Sequence, residues 1–201
     1  KAMERATEWL RVPLPDPEEF IETPVRVRRA FEELGPTFIK FGQILSTRVD
    51  VFPPDWIAEF EKLQTDVPPL PPEVLQPWLF KLCQGDPHEV FAEFDYTPIG
   101  SASIAQVHRA RLHDGTPVAV KVRRPGIAET IEADLRILSH LAYLVELEFP
   151  DTRRYQPGEM INQFAKSLRR ELDLAAEARN MERFAQHFAN DPVIVVPKVY
   201  W

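Results

Sequence analysis

The stretch from Pro98 to Val122 constrains this chain most. It reads as strand, tight loop, strand, turn, strand. Ile99, Ile104, Val107, Ala110 and Leu112 are apolar positions that suit two short extended segments. His113-Asp114-Gly115 is a turn, because Asp-Gly tolerates the positive φ that a hairpin needs. Val118-Ala119-Val120-Lys121-Val122 is then a β-branched run with one lysine inside it. A lysine in an apolar strand loses hydration unless an anion faces it, so Lys121 calls for an acidic partner or an outlet to solvent. The preceding loop, Gly100-Ser101-Ala102-Ser103, consists only of small residues. Small side chains let a backbone approach a phosphate closely and donate its N–H groups to it.

A small-residue loop, a hairpin and a strand lysine, in that order, describe the nucleotide-binding edge of a protein-kinase N-lobe. The loop and the following Ser103-Ile104-Ala105-Gln106-Val107-His108 resemble the alanine-rich loop of the UbiB / AarF family of atypical kinases. Val118-Ala119-Val120-Lys121 resembles the kinase Val-Ala-Ile-Lys strand. Lys40-Phe41-Gly42-Gln43 is similar to the family's Lys-x-Gly-Gln signature, and Glu171-Leu172-Asp173 with Glu177 and Asn180 to its Glu-x-Asp…Glu-Ala-x-Asn segment. The strings occur in the family's order and spread over most of the chain. Gly100 is a departure, standing where the family usually has alanine.

The fold implied is α+β: a kinase-like N-lobe with an antiparallel sheet, the helix that pairs the strand lysine, and one added helix. A helical extension carrying Lys-x-Gly-Gln precedes it. The boundary is expected near residue 88, with residues 1–88 as the extension and 89–201 as the lobe. The chain starts at Lys1 and stops at Trp201 without an Asp-Phe-Gly string, so it reads as a piece of a longer protein whose C-lobe lies elsewhere.

Helix signals support this order. Residues 1–22 carry little signal. Thr23-Pro24 opens a helix that Gly35-Pro36 should end, and Thr37 is placed to cap the next. Lys40 and Gln43 share a face of that helix, beside an apolar stripe of Phe38, Phe41 and Leu45. Pro53-Pro54-Asp55 starts a helix with Trp56, Ile57, Phe60 and Leu63 on one side. Val67 to Pro72 is a rigid connector with four prolines. Glu73 to Cys83 reads as a helix interrupted or bent at Pro77, and Asp86-Pro87 as the opening of one short turn. Ile131, Leu135, Leu138, Leu141, Ala142 and Val145 follow helical spacing, in the position of the family's extra helix. Met160 to Asn190 reads as one long helical region bent near Arg170, with Met181, Phe184 and Phe188 as a buried stripe. Val193 to Trp201 reads as a further edge strand interrupted by Pro197.

Composition narrows the function classes. A net charge of −7 argues against non-specific nucleic-acid binding, which needs a basic surface. The single Cys83 excludes an intramolecular disulfide. No apolar run approaches the roughly 18–20 residues of a membrane span. The five histidines lack metal-ligand spacing, and His108-Arg109-Ala110 is not a catalytic His-Arg-Asp because its third residue is alanine.

The resemblance assigns roles residue by residue. It makes Lys121 the phosphate-binding lysine, Glu177 its partner, and Gly100, Ser101, Ala102 and Ser103 the nucleotide loop. It places Glu171 and Asp173 in the nucleotide pocket, working with the pocket-occluding Lys40, Gly42 and Gln43, whose helix would pack over the place a peptide substrate would occupy. On spacing alone, Lys40 and Gln43 read as a solvated helix face, Lys121 as a half-exposed strand residue, and the acids as a charged face with Arg169, Arg170 and Arg179. Asp173 and Glu177, four apart, would also suit a metal ion. The implied cofactors are ATP and Mg2+, with the metal ligands expected mainly in the C-lobe. The implied role is an atypical kinase or ATPase that supports isoprenoid-quinone or prenyl-lipid biosynthesis at the cytoplasmic face of a membrane, with lipid, quinone precursor and biosynthetic proteins as partners. Two alternatives stand beside it: a nucleotide-binding pseudokinase scaffold, and a purely structural helical module.

Overall fold

The computed structural model describes residues 22–64 and 67–201. Residues 1–21 lie outside the described part. The chain divides into two packing units, Lys1–Leu63 and Gln64–Trp201.

The first unit contains α1 (Thr23–Leu34), α2 (Pro36–Leu45) and α3 (Pro54–Phe60). Each has proline in its first turn, where a missing N–H costs nothing. Gly35, at φ +98°, makes the break between α1 and α2. Thr37 does not cap α2. It lies inside the helix and is buried, because Pro36 already occupies the first helical position and Gly35 the cap. Phe38, Phe41, Leu45, Phe60 and Leu63 are buried together. Phe31 stacks on Phe60 with ring centres 5.9 Å apart.

In the second unit, α4 (Pro72–Cys83) and the short α5 (Pro87–Val90) lead into β1 (Phe91–Ser101). Pro77 is accommodated inside a continuous α4. β2 (Ala105–Leu112) and β3 (Pro117–Arg123) complete an antiparallel sheet of order β1-β2-β3. β1 begins at Phe91, earlier than the pattern implied, because bulges let it keep pairing with β2. Pro98 is tolerated because β1 is an edge strand. The β2–β3 turn has Gly115 at φ +86° and the Asp114 carboxylate accepting from the Thr116 N–H. That bond holds the Asp114 carboxyl below the usual carboxylate range.

Direct pairing in an antiparallel ladder puts partners on one face. Gln106 pairs with Val122 and His108 with Val120, and this face is covered by α4 through Leu75 and Leu79. Leu70 and α4 therefore pack with the sheet, and the expected boundary near residue 88 falls inside the second unit. Gln106 and His108 are fully buried but satisfied. The Gln106 amide lies 2.8 Å from His108 Nε2, and His108 Nδ1 lies 2.9 Å from the Asp95 carbonyl. A carbonyl only accepts, so Nδ1 carries the proton and Nε2 of the neutral ring accepts from Gln106.

Beyond Gly126, at φ +69°, come α6 (Ile127–Glu148), a 3-10 turn at Pro150–Tyr155, α7 (Pro157–Leu172) and α8 (Leu174–His187). α6 and α7 bury Ile131, Leu135, Leu138 and Ala142 and Ile161, Phe164, Ala165, Leu168 and Leu172. Leu141 and Val145 are exposed instead; Leu141 lies off the buried stripe, whereas Val145 continues it past Ala142, the last buried residue of α6.

The long helix expected from Met160 to Asn190 is two helices that meet at Asp173, whose φ and ψ of −88° and +83° leave the helical region. The stripe of Met181, Phe184 and Phe188 is not buried. α8 has no buried residue, and Phe184 is half exposed, resting on Phe188 at 4.5 Å between ring centres. Val193 to Trp201 forms no strand. Val193 and Val195 are 86% and 88% exposed, because β-propensity acts only where a neighbouring strand is paired.

Candidate functional site

Lys121 sits in the middle of β3, and register fixes its surroundings. Gly100 of β1 pairs with Val107 of β2, and Val107 pairs with Lys121. One row thus crosses the sheet on the face opposite α4, ending in a residue without a side chain. A Cβ built at Gly100 would meet nothing within 4 Å. Ala119, two residues from Lys121, lies on the same face. The sequence reading left Val107 and Ala119 out of the site, although the two-residue period of the strands carries them there.

Glu177 is in the first turn of α8. The Lys121 ammonium donates to both its carboxylate oxygens, at 2.8 and 2.6 Å. The side chains are 43% and 48% exposed, so the pair is half in water. Two anchors set the start of α8. The Asp173 carboxylate accepts from the Ala176 N–H at 2.8 Å, capping the helix, and Arg123 donates to the Leu172 carbonyl at 3.1 Å. Asp173 also faces Arg179 at 3.7 Å. Both acids that could have shared a metal ion are engaged otherwise, Asp173 with the helix N-terminus and Glu177 with Lys121. Among the described residues, no group of three or more His, Cys, Asp or Glu could hold a metal ion.

A cleft of about 550 Å³ borders Lys121 and is lined by Leu82, Arg123, Arg169, Leu172, Asp173 and the first residues of α8. Arg169 grips Glu132 of α6 at 2.7 and 2.8 Å, which holds the Glu132 carboxyl below the usual range. Glu171 is exposed at the end of α7, on a different helix from Glu177. Burial pushes the Cys83 thiol up, so the thiolate is disfavoured.

The small-residue loop is closed on itself. The Ala102 N–H donates to the Ala105 carbonyl at 2.9 Å, so this amide is engaged within the loop instead of pointing out as a free donor. Ser103 is buried, while Ala102 is exposed. Sequence reasoning gave Arg124 no role. Its guanidinium donates to the Ala102 carbonyl, the Ser101 hydroxyl and the Pro68 carbonyl. No local sequence pattern signals contacts of this kind.

Lys40, Gly42 and Gln43 stand together on α2 of the first unit. A Cβ at Gly42 would lie 2.8 Å from Phe31 Cδ2 and closer still to Leu63 Cδ1. The Gln43 amide donates to the Leu63 carbonyl at 3.0 Å. Gly42 and Gln43 therefore hold Leu63 against the helix, one by its absence of side chain and one by a hydrogen bond.

These features coincide with what known proteins share. Residues 62–201 match the ABC1 atypical kinase-like domain. A protein of Pseudomonas paraeruginosa named probable protein kinase UbiB is 44% identical over 176 residues, covering 88% of this chain and 33% of that protein. Its namesake in Marinobacter nauticus is 43% identical over 176 residues, covering 88% and 32%. The chain thus spans about a third of the length of the curated relatives it matches. Among solved structures, that of Rv3197 with erythromycin from Mycobacterium tuberculosis is similar at a TM-score of 0.52 and 25% identity, over 98% of this chain and 47% of that one. The three-stranded sheet is that of a kinase-like N-lobe, and the chain belongs to the UbiB / AarF family of ABC1 atypical kinase-like proteins.

Proposed function

We propose that this chain carries the nucleotide-binding part of an atypical kinase or ATPase. The observation that carries the reading is the Lys121–Glu177 pair, formed between a strand and a helix that lie far apart in sequence. Lys121 would hold the α- and β-phosphates of ATP, Glu177 would orient it, and the Gly100–Ser103 loop would border the phosphates. The residues fit a phosphate ligand: the ammonium is half exposed and Gly100 leaves open space in its row. ATP supplies the transferable phosphoryl group when bound. Mg2+ would accompany it on ligands in the further length that the curated relatives possess. As the family resemblance implies, Lys40, Gly42 and Gln43 would serve to keep the enzyme from phosphorylating proteins, including itself, and Glu171 and Asp173 would belong to the nucleotide pocket.

In the whole protein this activity would support isoprenoid-quinone or prenyl-lipid biosynthesis at a membrane. No helix among the described residues is long and apolar enough to cross a bilayer, so association would be peripheral or through other segments. The test is ATPase turnover of the full-length protein with and without anionic vesicles and a quinone precursor. Turnover stimulated by both supports the reading. ATP binding without turnover in any condition replaces it with the pseudokinase scaffold.

A further inference from the structure

The connector Val67–Leu70 is rich in acceptors and poor in donors. Pro68 and Pro69 carry carbonyls but no N–H. Carbonyls that leave water need donors from elsewhere. The Ser101 hydroxyl donates to the Val67 carbonyl at 2.9 Å, and Arg124 Nη2 donates to the Pro68 carbonyl at 2.8 Å. In return, the Leu70 N–H donates to Gln106 Oε1 at 2.9 Å.

Arg124 is the centre of this set. Its Nε donates to the Ala102 carbonyl at 2.9 Å and its Nη2 to the Ser101 hydroxyl at 2.8 Å. Its backbone N–H donates to the Ile104 carbonyl at 2.9 Å. One residue therefore holds Ser101 and Ala102 of the small-residue loop and Ile104 just after it, and reaches the connector as well. Every one of these acceptors is a neutral oxygen. Burial lowers the guanidinium pKa from its usual value. A planar guanidinium with its fork of donors can serve three acceptors in fixed directions, whereas a lysine ammonium on a flexible stem cannot reproduce that set.

We propose that Arg124 is a positioning residue that fastens the Gly100–Ser103 loop to the Val67–Leu70 connector, so that the two behave as one body and the connector sets how the loop meets a nucleotide. The nucleotide part of this inference rests on the function proposed above.

The experiment uses the full-length protein with Arg124→Met, which keeps much of the bulk and removes the donors, and Arg124→Lys, which keeps the charge and removes the fork. Amide exchange is followed at Ala102 and Leu70 without nucleotide, and ATP and ADP affinities are measured by calorimetry. Both amides should exchange about tenfold faster in either variant, as expected for losing bonds to a charged donor, and the ATP-to-ADP affinity ratio should shift. Faster exchange at Ala102 alone, full restoration by lysine, or an unchanged ratio overturns the proposal. If Arg124→Met does not fold, Ser101→Ala removes the hydroxyl that relays Arg124 to Val67. It should speed exchange at Leu70, and unchanged exchange there contradicts the clamp. Lys121→Ala is run in parallel: retained nucleotide affinity in that variant defeats the site reading, while the exchange data still decide the clamp.

Discussion

The Lys121 ammonium meets both carboxylate oxygens of Glu177, joining the middle of β3 to the first turn of α8 across 56 residues of sequence. A half-exposed pair of this kind contributes about 0–1 kcal/mol to stability, because water and salt screen it. Its physical effect is directional. It fixes the ammonium of a β3 residue at the first turn of α8, and that residue ends the sheet row that starts at Gly100.

The Lys-x-Gly-Gln helix depends on its glycine for packing. Gly42→Ala would push a methyl group into Leu63 and Phe31. It should destabilise the first unit by about 1–3 kcal/mol, the usual range for overpacking. Gln43→Ala should cost about 1 kcal/mol through loss of the bond to the Leu63 carbonyl. Chemical denaturation of the full-length protein checks both, and a Gly42→Ala variant as stable as the parent contradicts the packing account.

Gly100 behaves oppositely. It has open space around it and a backbone that needs no left-handed φ. Gly100→Ala should therefore be neutral or stabilise by up to about 1 kcal/mol, mainly by restricting the unfolded chain. Ala102→Gly should loosen the loop and alter the ATP-to-ADP preference. Thermal melts and paired calorimetric titrations test the two changes.

Asp173 acts here as a helix cap. Asp173→Ala should cost about 0.5–2 kcal/mol, whereas Asp173→Asn should keep most of the stability, since asparagine caps as well. Because α8 carries Glu177, loss of the cap should also weaken nucleotide binding. Equal stability of the alanine and asparagine variants contradicts the capping role.

Much of this was legible in the chain. Proline and glycine punctuation located α1 to α4, since their backbone constraints act locally. The β-branched run marked β3, and the family motifs paired Lys121 with Glu177. The errors arose where packing decides. Phe184 and Val195 carry apolar signals with no neighbour to bury them among the described residues. Asp173 breaks a helical pattern that hydrophobic spacing alone continues through it. The Gln106–His108 network and the Arg124 clamp depend on contacts between segments distant in sequence, which no periodicity encodes.

Lys121, oriented by Glu177, is proposed to bind the phosphates of a nucleotide. Calorimetric titration of ATP into full-length protein, comparing the parent with Lys121→Ala, tests it most directly. Lys121→Ala should lose measurable ATP binding while keeping folding stability within about 1 kcal/mol of the parent, because the half-exposed pair contributes little to it. Parent-like ATP affinity in a folded Lys121→Ala protein would contradict it.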